Sequence, residues 1–330
     1  MKNEQIAYLA FTGRGLELAK QLSRQTGGTV SDGREEGFSL AEWTKQTFST
    51  CRALVFIGAA GICVRAIAPF LKSKAEDPAV LCLDEAGRFV IPLLSGHLGG
   101  ANALARELAA ICGGIPVITT ATDVNRVFAV DLWAKAQNLA IINPQRIKSV
   151  SAKILAGDSV VIACPRLIAG DPPKQVSQGA EGDAAVTFRR VPEEVLALVP
   201  RTAVLGIGCR KEISAQQIED AFHLFCEESG LYPQCITVVS TIDRKATEPG
   251  LLSFCEAHGW PLCSYSAEEL SALPGAYSAS DFVRQTVGVD NVCERAAVCC
   301  SGGELIESKF ACSGVTFAVA SVRPVLNWRT

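Results

Sequence analysis

The sequence predicts an α/β protein: two layered α/β domains with mixed or mostly parallel sheets, joined by a smaller middle segment. Three observations carry this. Short apolar β-type runs alternate with helical patterns along the whole chain, the signature of α/β layers. Several of those runs end in Gly-rich or hydroxyl-rich loops, where open α/β sheets place their ligands. The chain has 330 residues, more than one typical domain, and its 48% hydrophobic residues suffice for more than one core.

The first strand is expected at about Ile6 to Phe11, followed by Thr12-Gly13-Arg14-Gly15 and a helix to about Gln25. Strands follow at Ala53 to Ile57, Val80 to Leu83, Phe89 to Leu94 and Pro116 to Thr119. Glu85-Ala86-Gly87-Arg88 reads as a hairpin turn, which makes the first sheet mixed. From about Phe128 a helix leads to a strand at Ser159 to Ala163. Residues 165–183, rich in Pro, Gly and small polar residues, read as a mobile excursion or a linker. Val186 to Arg189 is a short strand, and Val191 to Arg201 leads out between Pro192 and Pro200. Ala203 to Cys209 opens a new unit. Ser214 with Gln217 forms a capping box for a helix to about Ser229. Strands at Ile236 to Thr241 and Pro261 to Tyr265, a helix capped by Ser266 with Glu269, a helix near Val292 to Cys300, and strands at Glu304 to Phe310 and Val315 to Ala320 complete the chain. The domains expected are 1–127, a middle segment 128–202, and 203–330.

Composition excludes several classes of function. A formal charge of -3 provides no basic footprint for nucleic acid. The run from Met1 to Phe11 lacks the apolar core of a signal peptide and reads as a strand. The longest apolar stretch, Ala53 to Leu71, is interrupted by Gly58, Gly61, Arg65 and Pro69, so no membrane span is expected and a cytoplasmic location follows. The 14 cysteines include no Cys-x-x-Cys pair, and His97, His223 and His258 form no ligand pair. The cysteines therefore read as small hydrophobes in a reducing compartment, not as a metal site.

The chemistry concentrates in three places. His97 sits in Ser95-Gly96-His97-Leu98-Gly99-Gly100-Ala101-Asn102, between an apolar strand and a helix whose free N–H groups favour an anion or a developing oxyanion. Glycines on both sides leave it little packing for a core role. Thr119-Thr120-Ala121-Thr122-Asp123-Val124-Asn125 follows the next strand and should open on the same sheet edge; its polar groups hold substrate or cap the next helix. In the last domain, Cys209-Arg210-Lys211 and Thr241 to Gly250 also follow strands and should converge on one edge. They read equally as a charged site or as a solvated face. Gly13-Arg14-Gly15 resembles the start of a dinucleotide fingerprint, with Asp32 at the acidic position. Leu18, however, replaces the third glycine.

Phe56 to Pro69, Lys74 to Ala79, Leu93 to Asn125, Gly206 to Lys211, Thr241 to Leu251 and Gly288 to Ala297 together resemble the CbiG family of cobalamin biosynthesis, the cobalt-precorrin-5A hydrolases. Residues 203–330 look like the stand-alone CobE-type domain. The resemblance implies a hydrolase on a cobalt-bearing tetrapyrrole. Water opens its ring A δ-lactone, and a two-carbon fragment leaves as acetaldehyde, giving cobalt-precorrin-5B. No protein-bound cofactor is implied, because cobalt arrives in the substrate; other cobalamin-pathway enzymes are the implied partners. From the chemistry, His97 is expected to act as base and acid, with backbone N–H groups around Gly99 and Gly100 as oxyanion donors. Ligation of the substrate's cobalt is its alternative role. Arg14, Arg65, Arg210, Lys211 and Lys245 are expected to hold carboxylates, with Gly13, Ser95, Asn102, Thr119, Thr120, Asp123, Thr241, Asp243 and Glu248 as further substrate contacts. Both sets of polar loops are expected to touch one broad ligand. A non-catalytic corrinoid carrier and a nucleotide-dependent enzyme are the rival readings.

Overall fold

Strand alternation decides the layering of the first sheet. In the computed structural model, Ile6, Tyr8 and Ala10 of β1 (Asn3–Ala10) enter one apolar cluster and Ala7 and Leu9 enter another, so both faces are covered. The structure describes residues 3–73, 76–279, 285 and 288–329; Met1, Lys2, Lys74 and Ala75, which belong to stretches singled out above, lie outside them. The first sheet adds β2 (Thr29–Asp32), β3 (Cys51–Ile57), β4 (Ala79–Leu83), β5 (Phe89–Leu94) and β6 (Ile115–Pro116), in the order β2-β1-β3-β4-β5-β6. β1 to β4 are mutually parallel. β5 reverses through the expected turn, pairing Leu83 with Val90 and Val80 with Leu94, and β6 runs parallel to β5. Helices α1 (Gly13–Thr26), α2 (Leu40–Thr50), α3 (Ala60–Ile67) and α4 (Ala101–Cys112) are joined by the short α5 (Ala121–Asn125). α1 and α4 bury Ala19, Leu22, Leu104, Ala105 and Leu108 on one face; α2 and α3 bury Phe48, Cys63 and Ile67 on the other. Each leucine, isoleucine and phenylalanine among them stabilises the fold by roughly 1.5–3 kcal/mol, the alanines by less.

The chain forms two compact units, Met1–Leu132 and Trp133–Thr330. The boundary falls inside α6 (Val130–Ala136). The middle segment carries a sheet of its own, in the order β7-β11-β10-β8-β9: β7 (Leu139–Ile141), β8 (Val160–Ala163), β9 (Val176–Gly179), β10 (Ala184–Val186) and β11 (Leu196–Pro200), with α7 (Ile147–Ala156) before β8. The excursion expected at 165–183 therefore contains an edge strand, β9, paired parallel to β8. The lead-out expected at 191–201 contains β11, between β7 and β10.

The third sheet, in the order β14-β13-β12-β16-β15, comprises β12 (Ala203–Cys209), β13 (Ile236–Ile242), β14 (Leu262–Tyr265), β15 (Glu304–Cys312) and β16 (Val315–Ser321). α8 (Ala215–Ser229) and α10 (Ala267–Ala272) start at the two capping boxes read from the sequence. α9 (Pro249–His258) packs against α8 through Phe254 on Phe222. α11 (Cys293–Ser301) lies close against β12: a β-carbon at Gly206 would sit 1.9 Å from the Cys293 carbonyl oxygen, which only glycine permits. Val199 of β11 joins the core of this sheet, and Ala140, Ile142 and Phe188 pack against it. Among the described residues no helix is long and apolar enough to cross a membrane.

Candidate functional site

The reversal at β5 determines where His97 lies. β5 runs opposite to β4, so its carboxyl end abuts the start of β4, and Ser95 to Asn102 opens at the amino rim of β1, β3 and β4. β6 runs with β5, which brings Thr119 to Asn125 to that same rim, as the sequence implied. Gly13, Arg14 and Arg65 follow the carboxyl ends of β1 and β3 and lie at the opposite rim. The structure does not bring them to His97.

At the His97 rim the side chains form a closed network. Nε2 of His97 lies 2.7 Å from Oδ2 of Asp123, and Nδ1 lies 3.1 Å from Oδ2 of Asp131. The side chains of His97 and Asp123 are 12% exposed and that of Asp131 8%. Asn102 donates to Asp123 at 2.9 Å and to the Thr120 hydroxyl at 3.0 Å. One turn further along α4, Arg106 donates to the other Asp123 oxygen at 2.6 Å. Carboxylates on both sides favour a ring that donates from both nitrogens, the protonated form. Its bond to Asp131 is the strongest influence raising its pKa above the ordinary histidine value; burial opposes it and Asp123 adds to it. Burial pushes the Asp123 carboxyl up, but bonds from His97 and Arg106 outweigh it and hold it below the usual range.

The backbone of this loop is equally committed. A β-carbon at Gly99 would lie 2.4 Å from that of Ser95, and one at Gly96 would lie 2.8 Å from Asn102 Oδ1. The Gly100 N–H, expected as an oxyanion donor, instead donates to the His97 carbonyl at 3.0 Å. Ser95, expected as a substrate contact, is buried, and its hydroxyl is already committed to the Asp77 carbonyl at 3.1 Å. Thr119 is exposed on the same rim. Cobalt ligation by His97 would require a ring nitrogen to leave its carboxylate.

At the other rim Thr12 caps α1 through the Gly15 N–H at 3.0 Å. Asp32 is already paired with Arg34 at 2.9 and 2.7 Å, which holds its carboxyl down to about 2. A ribose would find that acid occupied, and a β-carbon at Gly15 would meet Ile57 Cγ2 at 3.1 Å. The glycines serve a tight turn into a helix.

In the second unit, β12 and β13 are parallel and end side by side, and the β15–β16 hairpin turns at the same rim. Between them lies a cleft of about 970 Å³, within the size of small-molecule sites. Arg210, Lys211, Arg244, Lys245 and Lys309 line it against two carboxylates, Glu212 and Glu248. The loops of Arg210-Lys211 and Lys245–Glu248 thus converge as the sequence implied. Lys245 donates to Glu248 at 3.0 Å, and the other Glu248 oxygen accepts the Glu212 N–H at 2.6 Å. Lys245, more than any other group, holds the Glu248 carboxyl below its ordinary range. Thr241 is not part of the cleft lining: it is fully buried, and its hydroxyl donates to the Ile207 carbonyl at 2.7 Å. Asp243 also lies outside the lining and accepts the Arg244 N–H at 2.6 Å. Sequence reasoning missed Asp131, Arg106 and Lys309, and held Arg244 only as part of the run Thr241 to Gly250. Only Arg106, one helical turn from Asn102, carried a spacing signal.

Residues 42–123 match the family described as "Cobalamin synthesis G N-terminal", and residues 203–320 match "Cobalamin synthesis G C-terminus". The chain is 35% identical to the cobalt-precorrin-5A hydrolase of Salmonella typhimurium, covering 97% of this chain and 98% of that one. It is 30% identical to the cobalt-precorrin-5A hydrolase of Priestia megaterium, covering 96% and 94% respectively. Protein CobE of Sinorhizobium sp is 28% identical over 120 residues, 36% of this chain and 78% of CobE. The match runs nearly end to end, and both halves are recognised separately; the chain belongs to the CbiG family of cobalamin biosynthesis proteins.

Proposed function

We propose that the protein is a cobalt-precorrin-5A hydrolase acting in the cytoplasm and working beside other cobalamin-pathway enzymes. The observation that carries this reading is the cleft: five cations against two carboxylates, in a protein of net charge -3. That excess suits a ligand with many carboxylates, as a cobalt-precorrin is, and charge-assisted bonds recognise carboxylates well. Arg210 and Lys211 hold substrate carboxylates. Lys245, already paired with Glu248, fixes the loop beside them. No protein-bound cofactor enters the proposal, since cobalt belongs to the substrate.

Water adds to the ring A lactone carbonyl and its proton passes to solvent, while the breaking carbon–oxygen bond leaves an alkoxide that needs a proton. Both His97 ring nitrogens face carboxylates, so one of those bonds opens before the ring, whose pKa is raised, gives its proton to the alkoxide. The neutral imidazole then takes the hydroxyl proton as the carbon–carbon bond breaks; the bonding pair passes into the macrocycle, which takes up a proton from solvent, and acetaldehyde leaves. Acid before base is the order its surroundings favour.

Acetaldehyde release from purified cobalt-precorrin-5A tests the proposal. His97→Ala, checked for folding by circular dichroism, should lose turnover by about a hundredfold or more, the scale of a lost acid–base group. Near-normal release by the folded variant would remove His97 from the reaction. Tight binding by the unaltered protein without any acetaldehyde would leave a carrier.

A further inference from the structure

We propose that Lys309 is an anion anchor of the cleft, aimed by a break in strand pairing, and that Glu294 is its positioning residue. This rests on reading the cleft as the carboxylate site. On β15, Glu307 pairs with Val319 and Phe310 pairs with Phe317. Three steps along one strand therefore match two along the other, and one extra residue is accommodated between them. Such bulges re-aim side chains beside sites, and here the segment contains Lys309, which lines the cleft. A bulge also takes a backbone N–H out of the ladder. The Lys309 N–H is accepted by Glu294 Oε1 at 2.8 Å.

Glu294 is buried, 1% exposed. Its carboxylate also accepts the Ser278 N–H at 2.7 Å, the Ser278 hydroxyl at 2.9 Å and the Asn291 amide at 2.9 Å. A buried carboxylate is costly unless bonded, and four donors satisfy it. Those donors come from three separate segments, and two of them, Asn291 and Lys309, belong to the cleft wall. The buried charge therefore holds the wall in register. Among the described residues the Lys309 ammonium has no carboxylate partner, which leaves its charge for a ligand.

Titrating the full chain with uroporphyrin I, a tetrapyrrole disc with eight carboxylates, tests this without the reaction. Lys309→Ala should weaken binding by about tenfold or more, and Lys309→Arg should recover most of it. Glu294→Gln, which turns an amide towards donors, should weaken binding in the unaltered background and add little in a Lys309→Ala background. Unchanged binding by Lys309→Ala overturns the anchor, and additive losses overturn the positioning role. If Glu294→Gln does not fold, the Lys309 pair decides, because that side chain is only partly buried. No binding by the unaltered protein overturns the cleft reading and this inference together, whereas acetaldehyde release is scored independently.

Discussion

Replacing Asp131 with Asn removes one charge from the His97 network and leaves an amide oxygen that can still accept from Nδ1. Charge-assisted bonds contribute roughly 1.5–3 kcal/mol against about 1 for a neutral one, so the substitution should cost about 0.5–2 kcal/mol. With both side chains largely buried, at 12% and 8% exposure, solvent screening takes little from this figure. The cost depends on pH in a fixed direction. The folded pKa of His97 is raised above its ordinary value of 6.5, chiefly by Asp131. The stabilisation is therefore complete below about 6.5 and is lost as pH rises through the folded value. Urea unfolding of both proteins at pH 6 and again at pH 9 should show the larger difference at pH 6. Proton NMR titration should place the His97 ring in the variant closer to 6.5, and a His97→Ala spectrum distinguishes its signal from those of His223 and His258. If His97 in the unaltered protein titrates at or below 6.5, or if its titration is the same in both proteins, the imidazolium assignment fails.

Arg210→Ala should weaken cobalt-precorrin binding by about tenfold or more and flatten its dependence on salt, read by isothermal titration at two ionic strengths; an unchanged Kd would remove Arg210 from the cleft's anchors. Gly206→Ala should destabilise the second unit by about 1–3 kcal/mol or more, since its β-carbon would fall 1.9 Å from the Cys293 carbonyl, and a normal denaturation midpoint would show that α11 can back away. Residues 203–330 alone should unfold cooperatively but at lower urea than residues 133–330, because they lose Val199 and the cover of Ala140, Ile142 and Phe188. Equal midpoints would make that cover energetically idle.

Elements with a strong local signal could be read directly from the chain. The capping boxes at Ser214 and Ser266 located α8 and α10, and the turn at Glu85 to Arg88 announced the reversal of β5. Three missed strands, Thr29–Asp32, Leu139–Ile141 and Val176–Gly179, are edges too short to show a side-chain period, and ladder bonds to one neighbour hold them. Leu196–Pro200 lies inside its sheet but was hidden by Pro192 before it and Pro200 at its end. Within the candidate site, a lone histidine among glycines pointed to His97. Asp131 comes 34 residues later at the start of a helix, and only folding brings it to the ring. Lys309 was hidden for a different reason: a strand pattern read at period two cannot locate an extra residue that breaks the period. Thr241 misled because a hydroxyl at a strand end looks the same in sequence whether it faces a ligand or a neighbouring carbonyl.

The buried cysteines give the protein a reporter of its own opening. Burial pushes the Cys82 thiol up to about 11 and that of Cys226 up to about 12, and raises Cys63 further; these residues belong to the cores of different units. At neutral pH well under roughly one in a thousand of such thiols is ionised, and only the thiolate reacts with iodoacetamide. Alkylation must therefore wait for the surrounding core to open. Mass spectrometry of peptides labelled over hours would time the opening of each core separately, with no engineered probe, and would reveal whether a ligand in the cleft slows only the second.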